Sequence, residues 1–333
     1  MGFKPKICVL HLTNACNLRC KHCYANAGRP LKNELRTDEI KNIIDQLVEM
    51  DCFYLTLSGG EPLLFPKLEE IAKYATRKGL KILITTNGTL LTRAKVKKLL
   101  ENGVSSIQIS FDSHIPSVHN KFRGYSWAFK NAINGMRKCK ELRMKVAVMC
   151  TISKINYQKL GETIDFFCQK NIDAFAIERF VPEGRGEHIK DLMLSPTQLK
   201  RSFEILLDKK EKHKNVIITT TDPLFQFVDG RSYETFYHSS CIGGCSAGIA
   251  GFTITPDGYV TPCTRFYEKI GNIRKQSIKD IWENSPVFKL LRNRENLKGK
   301  CGKCKYKNLC GGCRAAAYNK FGDFLLSDPG CWL

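Results

Sequence analysis

Cys16, Cys20 and Cys23 stand in the stretch Cys16-Asn-Leu-Arg-Cys20-Lys-His-Cys23-Tyr24, directly after an apolar run from Ile7 to Leu12. Three thiols at CxxxCxxC spacing on one short loop suit three corners of a cubic [4Fe–4S] cluster, whose four irons ordinarily take four cysteines. The remaining iron would be open, and an open position at a metal is where a substrate or cofactor binds. Half of a zinc site is the competing reading, because CxxC pairs are common there. A zinc ribbon needs a second pair nearby, and the next thiol, Cys52, stands alone.

A second group of thiols fills the C-terminal third: Cys241, Cys245, Cys263, Cys301, Cys304, Cys310, Cys313 and Cys331. Eight cysteines make two four-thiolate sites, for which zinc is again the plain alternative. The segment offers few strands, a hairpin at Phe252–Thr255 and Tyr259–Thr261 and one helix near Ile278–Arg292, so it needs metal to hold its small core. The other five cysteines of the sixteen, Cys8, Cys52, Cys139, Cys150 and Cys168, are scattered along expected strands and helices. They read as small buried hydrophobes.

The elements that must position these groups alternate between β-rich runs and longer amphipathic stretches. Strands are expected at Ile7–Thr13, Tyr54–Ser58, Lys81–Thr86, Ser105–Phe111, Lys145–Ile152 and Ala174–Phe180. Helices are expected at Asp38–Met50 after a Thr37 cap, Lys67–Arg77, Arg93–Glu101 after a Thr92 cap, Trp127–Leu142, Gln158–Gln169 and Thr197–His213. Such alternation means an α/β fold with a parallel sheet. Six units are too few to close an eight-stranded barrel, so an open, TIM-like partial (β/α)6 barrel is expected over residues 1–220, with a run at Val216–Thr220 closing it. A linker over 221–240 and a Cys-rich module over 241–333 follow. The polar motifs fall at the C-terminal ends of the strands, where barrels carry their chemistry: the cysteine loop, Ser58-Gly59-Gly60-Glu61-Pro62, Thr86-Asn87-Gly88, Ser110-Phe111-Asp112-Ser113, and Glu178-Arg179 with Pro182-Glu183-Gly184-Arg185-Gly186.

The three-cysteine loop resembles the signature of the radical S-adenosylmethionine (SAM) superfamily, although the aromatic usual before the third cysteine is here His22, with Tyr24 just after. The resemblance implies that Ser58, Gly59, Gly60 and Glu61 hold the amino group of SAM, the glycines letting ligand approach the main chain. Tyr24, Asn87, Ser110, Asp112 and Arg123 complete the implied SAM site, with Ser110 and Asp112 on ribose and carboxylate and Arg123 pairing a carboxylate. The C-terminal pattern, Cys245…Gly258-x4-Cys263, Cys301-x2-Cys304-x5-Cys310, then Cys313 and Cys331, is similar to the SPASM domain. By that pattern Cys241, Cys245, Cys263 and Cys313 take one auxiliary cluster and Cys301, Cys304, Cys310 and Cys331 another. The chain departs from it in separating Cys310 from Cys313 by only two glycines. Three [4Fe–4S] clusters and SAM are therefore the implied cofactors, and an electron passes from substrate to the auxiliary clusters. The segment from Cys310 to Tyr318 is similar to enzymes that build cofactors, among them the pyrroloquinoline quinone and mycofactocin maturases, tungsten-cofactor modifying proteins and haem-synthesising decarboxylases.

The formal net charge of +21 over 333 residues raises nucleic acid as a partner. The basic residues are spread over many helices, with no base-stacking motif beside them, so nucleic acid is set aside. A basic exterior instead suits docking of an acidic electron donor of the ferredoxin or flavodoxin type. No apolar run approaches the ~20 residues of a membrane span, and no signal sequence precedes the first strand, so a cytoplasmic enzyme without membrane contact is expected. Peptide maturases often carry a leader-recognition domain, and here the first strand begins almost at once. A leaderless peptide, a separate carrier protein or a small molecule is therefore the expected substrate arrangement. Glu178 and Arg185 at the sixth strand are the expected catalytic groups, Arg185 offering a fork for a substrate carboxylate. Oxidative maturation of a peptide-derived or small-molecule cofactor is the leading function, and tetrapyrrole decarboxylation the second. A non-catalytic zinc or iron–sulfur electron-transfer protein is the alternative from another class.

Overall fold

Period-two burial along each strand decides the architecture. In the computed structural model, which describes residues 2–229 and 244–333, Cys8, Leu10, Leu55, Leu57, Ile82, Ile84, Ile107, Ile109, Val146 and Val148 are buried on one face of a sheet. Their neighbours must face the other way. The strands are β1 Ile7–His11, β2 Tyr54–Ser58, β3 Lys81–Thr86, β4 Ser106–Ser110, β5 Lys145–Ile152, β6 Ala174–Arg179 and β7 Ile217–Thr220, followed by β8 Gly251–Ile254, β9 Tyr259–Thr261 and β10 Gly271–Asn272. They form one ten-stranded sheet in the order β10-β9-β8-β1-β2-β3-β4-β5-β6-β7. From β8 through β7 every neighbouring pair is parallel.

The parallel α/β expectation is met. Two features go further than it. The run after the last long helix is a full strand, Ala174 of β6 standing beside Ile217 of β7, so the parallel series has seven members before the chain leaves it. The Cys-rich segment also extends the same sheet, because β8 lies parallel to β1 with Ile7 opposite Gly251 and Leu10 opposite Ile254. Its hairpin with β9 turns through Pro256-Asp257-Gly258, closed by Thr255 N–H on Tyr259 O at 2.8 Å. The sheet stays open, with β7 and β10 as its edges.

Helices cover the apolar face. They are α1 Thr37–Glu49, α2 Leu68–Arg77, α3 Arg93–Glu101, α4 Pro116–Arg123, α5 Ala128–Glu141, α6 Leu160–Cys168 and α7 Pro196–Lys212. In α1, Ile40, Ile43, Ile44 and Leu47 are all buried, the 3,4 spacing of one helical stripe. Truncating any of them to alanine costs about 2–5 kcal/mol. The Thr92 cap is present, its hydroxyl accepting Lys95 N–H at 3.1 Å. The Thr37 cap is not: Thr37 is already helical and Arg36 takes the cap position, its N–H donating to Glu39 Oε2 at 2.8 Å. Helix α4 was not expected. It is only eight residues long, too short for a periodic signal, although Pro116 at its first turn and Gly124 just beyond it mark both ends. The single helix expected near Ile278–Arg292 is two, Ile278–Asn284 and Pro286–Arg292. Pro286 disfavours helical geometry at Ser285, which adopts φ −55° and ψ 124°.

The described part of the 221–240 stretch is not a loose connection, since Leu224 and Phe225 are buried in the core. Among the described residues no helix is long and apolar enough to cross a membrane. All fifteen described cysteines are thiols, not disulfides. Cys8, Cys52, Cys139 and Cys150 are buried, whereas Cys168 is only partly so.

Candidate active site

Alternation puts a second set of side chains on the concave face. Pairing of His11 with Ser58, Thr85 with Gln108, Ser110 with Met149 and Thr151 with Glu178 aligns them across neighbouring strands. The set is polar where the helix-covered face is aliphatic, and Thr85 donates to Ser58 Oγ at 2.7 Å. The barrel lumen at the strand ends is therefore a place for a polar ligand.

The cysteine loop is built onto the glycine loop after β2. Gly60 N–H donates to Thr13 O and Glu61 N–H to Ala15 O, each at 2.8 Å. A Cβ on Gly59 would stand 2.4 Å from Thr13 O, and one on Gly60 would stand 2.3 Å from Ala15 O. The glycines are thus required by the approach of the cysteine loop itself, not only by a ligand. Glu61 is fully buried and accepts from Thr86 Oγ1 at 2.6 Å, Asn87 N–H at 2.9 Å and Leu63 N–H at 3.2 Å. Burial pushes its pKa up to about 7 against those donors. Its carboxylate is engaged within the protein, and Gly59 and Gly60 line a cavity of about 180 Å3, with His11, Thr13, Asn14 and Tyr267 among its walls. Asn87 likewise serves the loop, Nδ2 donating to Asn17 Oδ1 at 2.9 Å.

Asp112 and Arg123 were read separately as ligand contacts; they are partners. Arg123 Nε and Nη2 donate to the two carboxylate oxygens at 2.6 and 2.9 Å, both residues buried. Burial alone would raise the Asp112 pKa, but Arg123, His22 and His119 outweigh it and hold it at about 2. The pair leaves Arg123 Nη1 toward Cys20, 4.0 Å from Sγ. His22 stacks on Phe122 with ring centroids 3.9 Å apart, so it packs beneath the loop. Tyr24 turns its hydroxyl toward His11 Nε2 at 3.5 Å.

Arg185 turns to the cysteine loop. Its Nε donates to Cys20 O at 3.0 Å, and its Nη1 to Asn26 Oδ1 at 3.0 Å and Ala27 O at 2.7 Å. The fork expected for a substrate carboxylate is engaged by the cysteine loop, which offers three acceptors at the right distance. Glu178 does face the lumen, with its Oε2 3.8 Å from Arg265 Nη1. Arg179, on the other face of β6, is buried and paired with Asp222 and Asp328.

Four of the C-terminal thiols, Cys301, Cys304, Cys310 and Cys331, line one cavity of about 340 Å3. Cys245, Cys263 and Cys313 are not among its lining residues, although Cys245 N–H donates to Cys310 O at 3.2 Å. Cys241 lies outside the described residues. Backbone N–H groups aim at sulfur throughout: Leu18 at Cys16 and Ala27 at Cys23, each 3.4 Å, then Tyr306 at Cys304, Asp328 at Cys301 and Gly312 at Cys310, at 3.4, 3.4 and 3.3 Å. Such donors stabilise cluster-bound thiolates. Among the described residues no three His, Cys, Asp or Glu side chains close on one ion position. Four thiols around a wide cavity suit a larger inorganic body than one zinc ion, and the donor set fits iron–sulfur clusters.

Residues 10–167 match the model of the radical SAM superfamily, and residues 245–313 that of SPASM, an iron–sulfur cluster-binding domain. The AdoMet-dependent heme synthase of Methanosarcina barkeri is 35% identical over 98% of this chain and 96% of its own length. The chain belongs to the radical SAM superfamily. It is an enzyme of that superfamily with a SPASM module, and its relatives are synthases and maturases. The mycofactocin maturase MftC of Mycobacterium tuberculosis is 29% identical over 95% of this chain and 80% of its own. Among solved structures, Streptococcus suis SuiB bound to S-adenosylmethionine shares the fold, with a TM-score of 0.81 at 20% identity over 99% of this chain and 78% of that one.

Sequence reasoning did not single out His11, Arg265, Arg314 or Asp328. The strand period marks His11, which lies two residues after Val9 on the inward face. Arg314 and Asp328 sit inside the C-terminal Cys–Gly segments, but nothing in the sequence says that Arg314 reaches Phe324 O and Leu326 O, each at 2.7 Å.

Proposed function

We propose that the chain oxidatively decarboxylates propionate side chains of an iron tetrapyrrole. The observation that carries this reading is the likeness to the heme synthase, 35% identical along nearly the whole of both chains, against 29% for the peptide maturase. In this reading Cys16, Cys20 and Cys23 hold the cluster to which SAM binds. Cys241, Cys245, Cys263 and Cys313 hold one auxiliary cluster, and Cys301, Cys304, Cys310 and Cys331 the other. When bound, that cluster with SAM would supply a 5′-deoxyadenosyl radical for hydrogen abstraction, and the auxiliary clusters would supply an electron acceptor. A propionate that gives up one hydrogen atom, one electron and CO2 becomes a vinyl group, which balances.

The protein's own part is to position and to exclude water. Ser58, Ser110 and the Gly59–Gly60 backbone face the lumen where SAM would lie, with Tyr24 above them. Asp112 and Arg123 brace the loop from below, and Glu61 and Asn87 fasten it to β3. Glu178 stands at the lumen's exit toward the C-terminal thiols. An acidic ferredoxin- or flavodoxin-type donor in the cytoplasm would supply electrons to the basic surface.

A peptide substrate is the second reading, favoured by the likeness to MftC. Incubation of the reduced protein with SAM and either iron coproporphyrin III or candidate peptides separates the two. Vinyl formation on the porphyrin supports the first reading, and modification of a peptide alone supports the second.

A further inference from the structure

Of the arginines around the strand ends and the C-terminal thiols, four have their forks filled. Arg123 is held by Asp112, Arg179 by Asp222 and Asp328, Arg185 by carbonyls of the cysteine loop, and Arg314 by the carbonyls of Phe324 and Leu326. Arg265 differs. Its Nη1 donates to Arg179 O at 3.1 Å, and Glu178 Oε2 stands 3.8 Å away, beyond hydrogen-bond reach. Its Nε is sealed from solvent without an acceptor, whereas its Nη2 is not sealed and makes no hydrogen bond among the described residues. The side chain is 16% exposed, so it is neither a solvated surface arginine nor a completed internal pair. A buried guanidinium N–H without an acceptor costs free energy that a ligand oxygen recovers.

The position of Arg265 matches this vacancy to function. It follows Cys263 by two residues and reaches the end of β6, where its Nη1 meets Arg179 O and lies 3.8 Å from Glu178 Oε2. Glu178 belongs to the lumen of β6, and the loop that follows β6 returns to the cysteine loop, where Arg185 N–H donates to Cys23 O at 3.0 Å. Arg265 therefore stands on the seam between the radical-generating loop and the first group of auxiliary thiols. A substrate that yields a hydrogen atom on one side and an electron on the other has to lie across this seam.

We propose that Arg265 anchors a substrate carboxylate through the Nη2 side of its guanidinium. The inference rests on the tetrapyrrole reading above and deepens it. The anchored carboxylate is one that stays on the substrate, because a guanidinium partner stabilises the carboxylate anion and so opposes its loss as CO2. Of several propionates, one is gripped while another is turned toward the radical. Arg265 thus sets which side chain reacts.

Binding of iron coproporphyrin III and of its tetramethyl ester, followed by absorbance with the cluster-loaded protein, tests the proposal. Arg265→Lys and Arg265→Gln are compared with the natural protein, and iron content and melting check that each is folded. The lysine form keeps the charge and loses the planar fork. The natural protein should bind the acid about tenfold to a hundredfold more tightly than the ester, and both variants should lose most of that preference. Variants that keep the full preference overturn the anchor while leaving the tetrapyrrole reading in place. If the natural protein binds neither form, the tetrapyrrole reading fails and the anchor fails with it.

Discussion

Arg179 Nη1 donates to Asp328 Oδ1 at 2.7 Å, joining residues 149 positions apart in the chain. The other oxygen of Asp328 accepts Cys313 N–H at 2.8 Å, and its own N–H points at Cys301 Sγ at 3.4 Å. Asp328 thus ties the end of β6 to Cys313 through its carboxylate and to Cys301 through its backbone N–H. Asp222 shares Arg179 from the other side, so the guanidinium is never left without a counter-charge.

Breaking this junction should loosen the C-terminal module first. Removing one member of a buried pair costs about 3–5 kcal/mol where the partner charge is left bare, and less here because Asp222 stays on Arg179. Asp328→Asn is therefore expected to lower the melting temperature and to release iron from the C-terminal thiols, while the Cys16–Cys23 loop keeps its own. Iron analysis of Asp328→Asn in a Cys16/Cys20/Cys23→Ala background isolates the C-terminal share. Undiminished iron there would count against the junction.

Arg185 is expected to matter for SAM cleavage itself. Its three bonds to Cys20 O, Asn26 and Ala27 O hold the loop closed, and net contributions of this kind run to about 1–3 kcal/mol for charged donors. Arg185→Ala should depress uncoupled 5′-deoxyadenosine formation and substrate turnover together. A variant that cleaves SAM normally yet fails on substrate would restore the carboxylate-binding role first read for this residue.

How much of this was legible before the structure depends on what each residue does. Strands β2, β3 and β5 lie where the apolar runs and their turn residues put them, because period two and the flanking breakers are local signals. The thiol loop was legible for the same reason, its spacing being a property of nine consecutive residues. The partners of Arg185 were not legible, because they are two backbone carbonyls and the Asn26 side chain about 160 residues earlier, and a carbonyl leaves no trace in a sequence. Asp112 and Arg123 were both noticed as ligand groups. Their mutual pairing depends on α4, a helix too short to announce itself. The continuity of β8 with β1 is a long-range pairing that no local pattern encodes.

The α6–α7 contact offers a pH test away from the cysteines. Asp165 accepts from Lys209 at 2.6 Å and His213 at 2.5 Å. Burial would raise its pKa, but these partners bring it from 3.8 down to about 2. A carboxylate depressed in this way stabilises the fold above its unfolded value and ceases to do so as pH falls toward the folded one. Melting curves of Asp165→Asn should therefore lie below those of the natural protein at neutral pH, with the gap shrinking as pH falls from about 4 toward about 2. A gap independent of pH would assign the loss to packing.

Metal content distinguishes the thiol groups. Three cubes carry about twelve irons. Replacing Cys16, Cys20 and Cys23 with alanine should remove about a third of them and abolish SAM cleavage. Cys304→Ala should lower iron and stability through the C-terminal fold while some uncoupled cleavage survives. Equal iron in Cys304→Ala and the natural protein would make Cys304 a bystander thiol.

The account is tested most directly by following one hydrogen atom. Iron coproporphyrin III carrying deuterium on the propionate carbon next to the ring is incubated anaerobically with reduced, cluster-loaded protein and SAM. Deuterium should appear in 5′-deoxyadenosine, with one CO2 released for each vinyl group formed. 5′-Deoxyadenosine without deuterium, over an unaltered porphyrin, would contradict it.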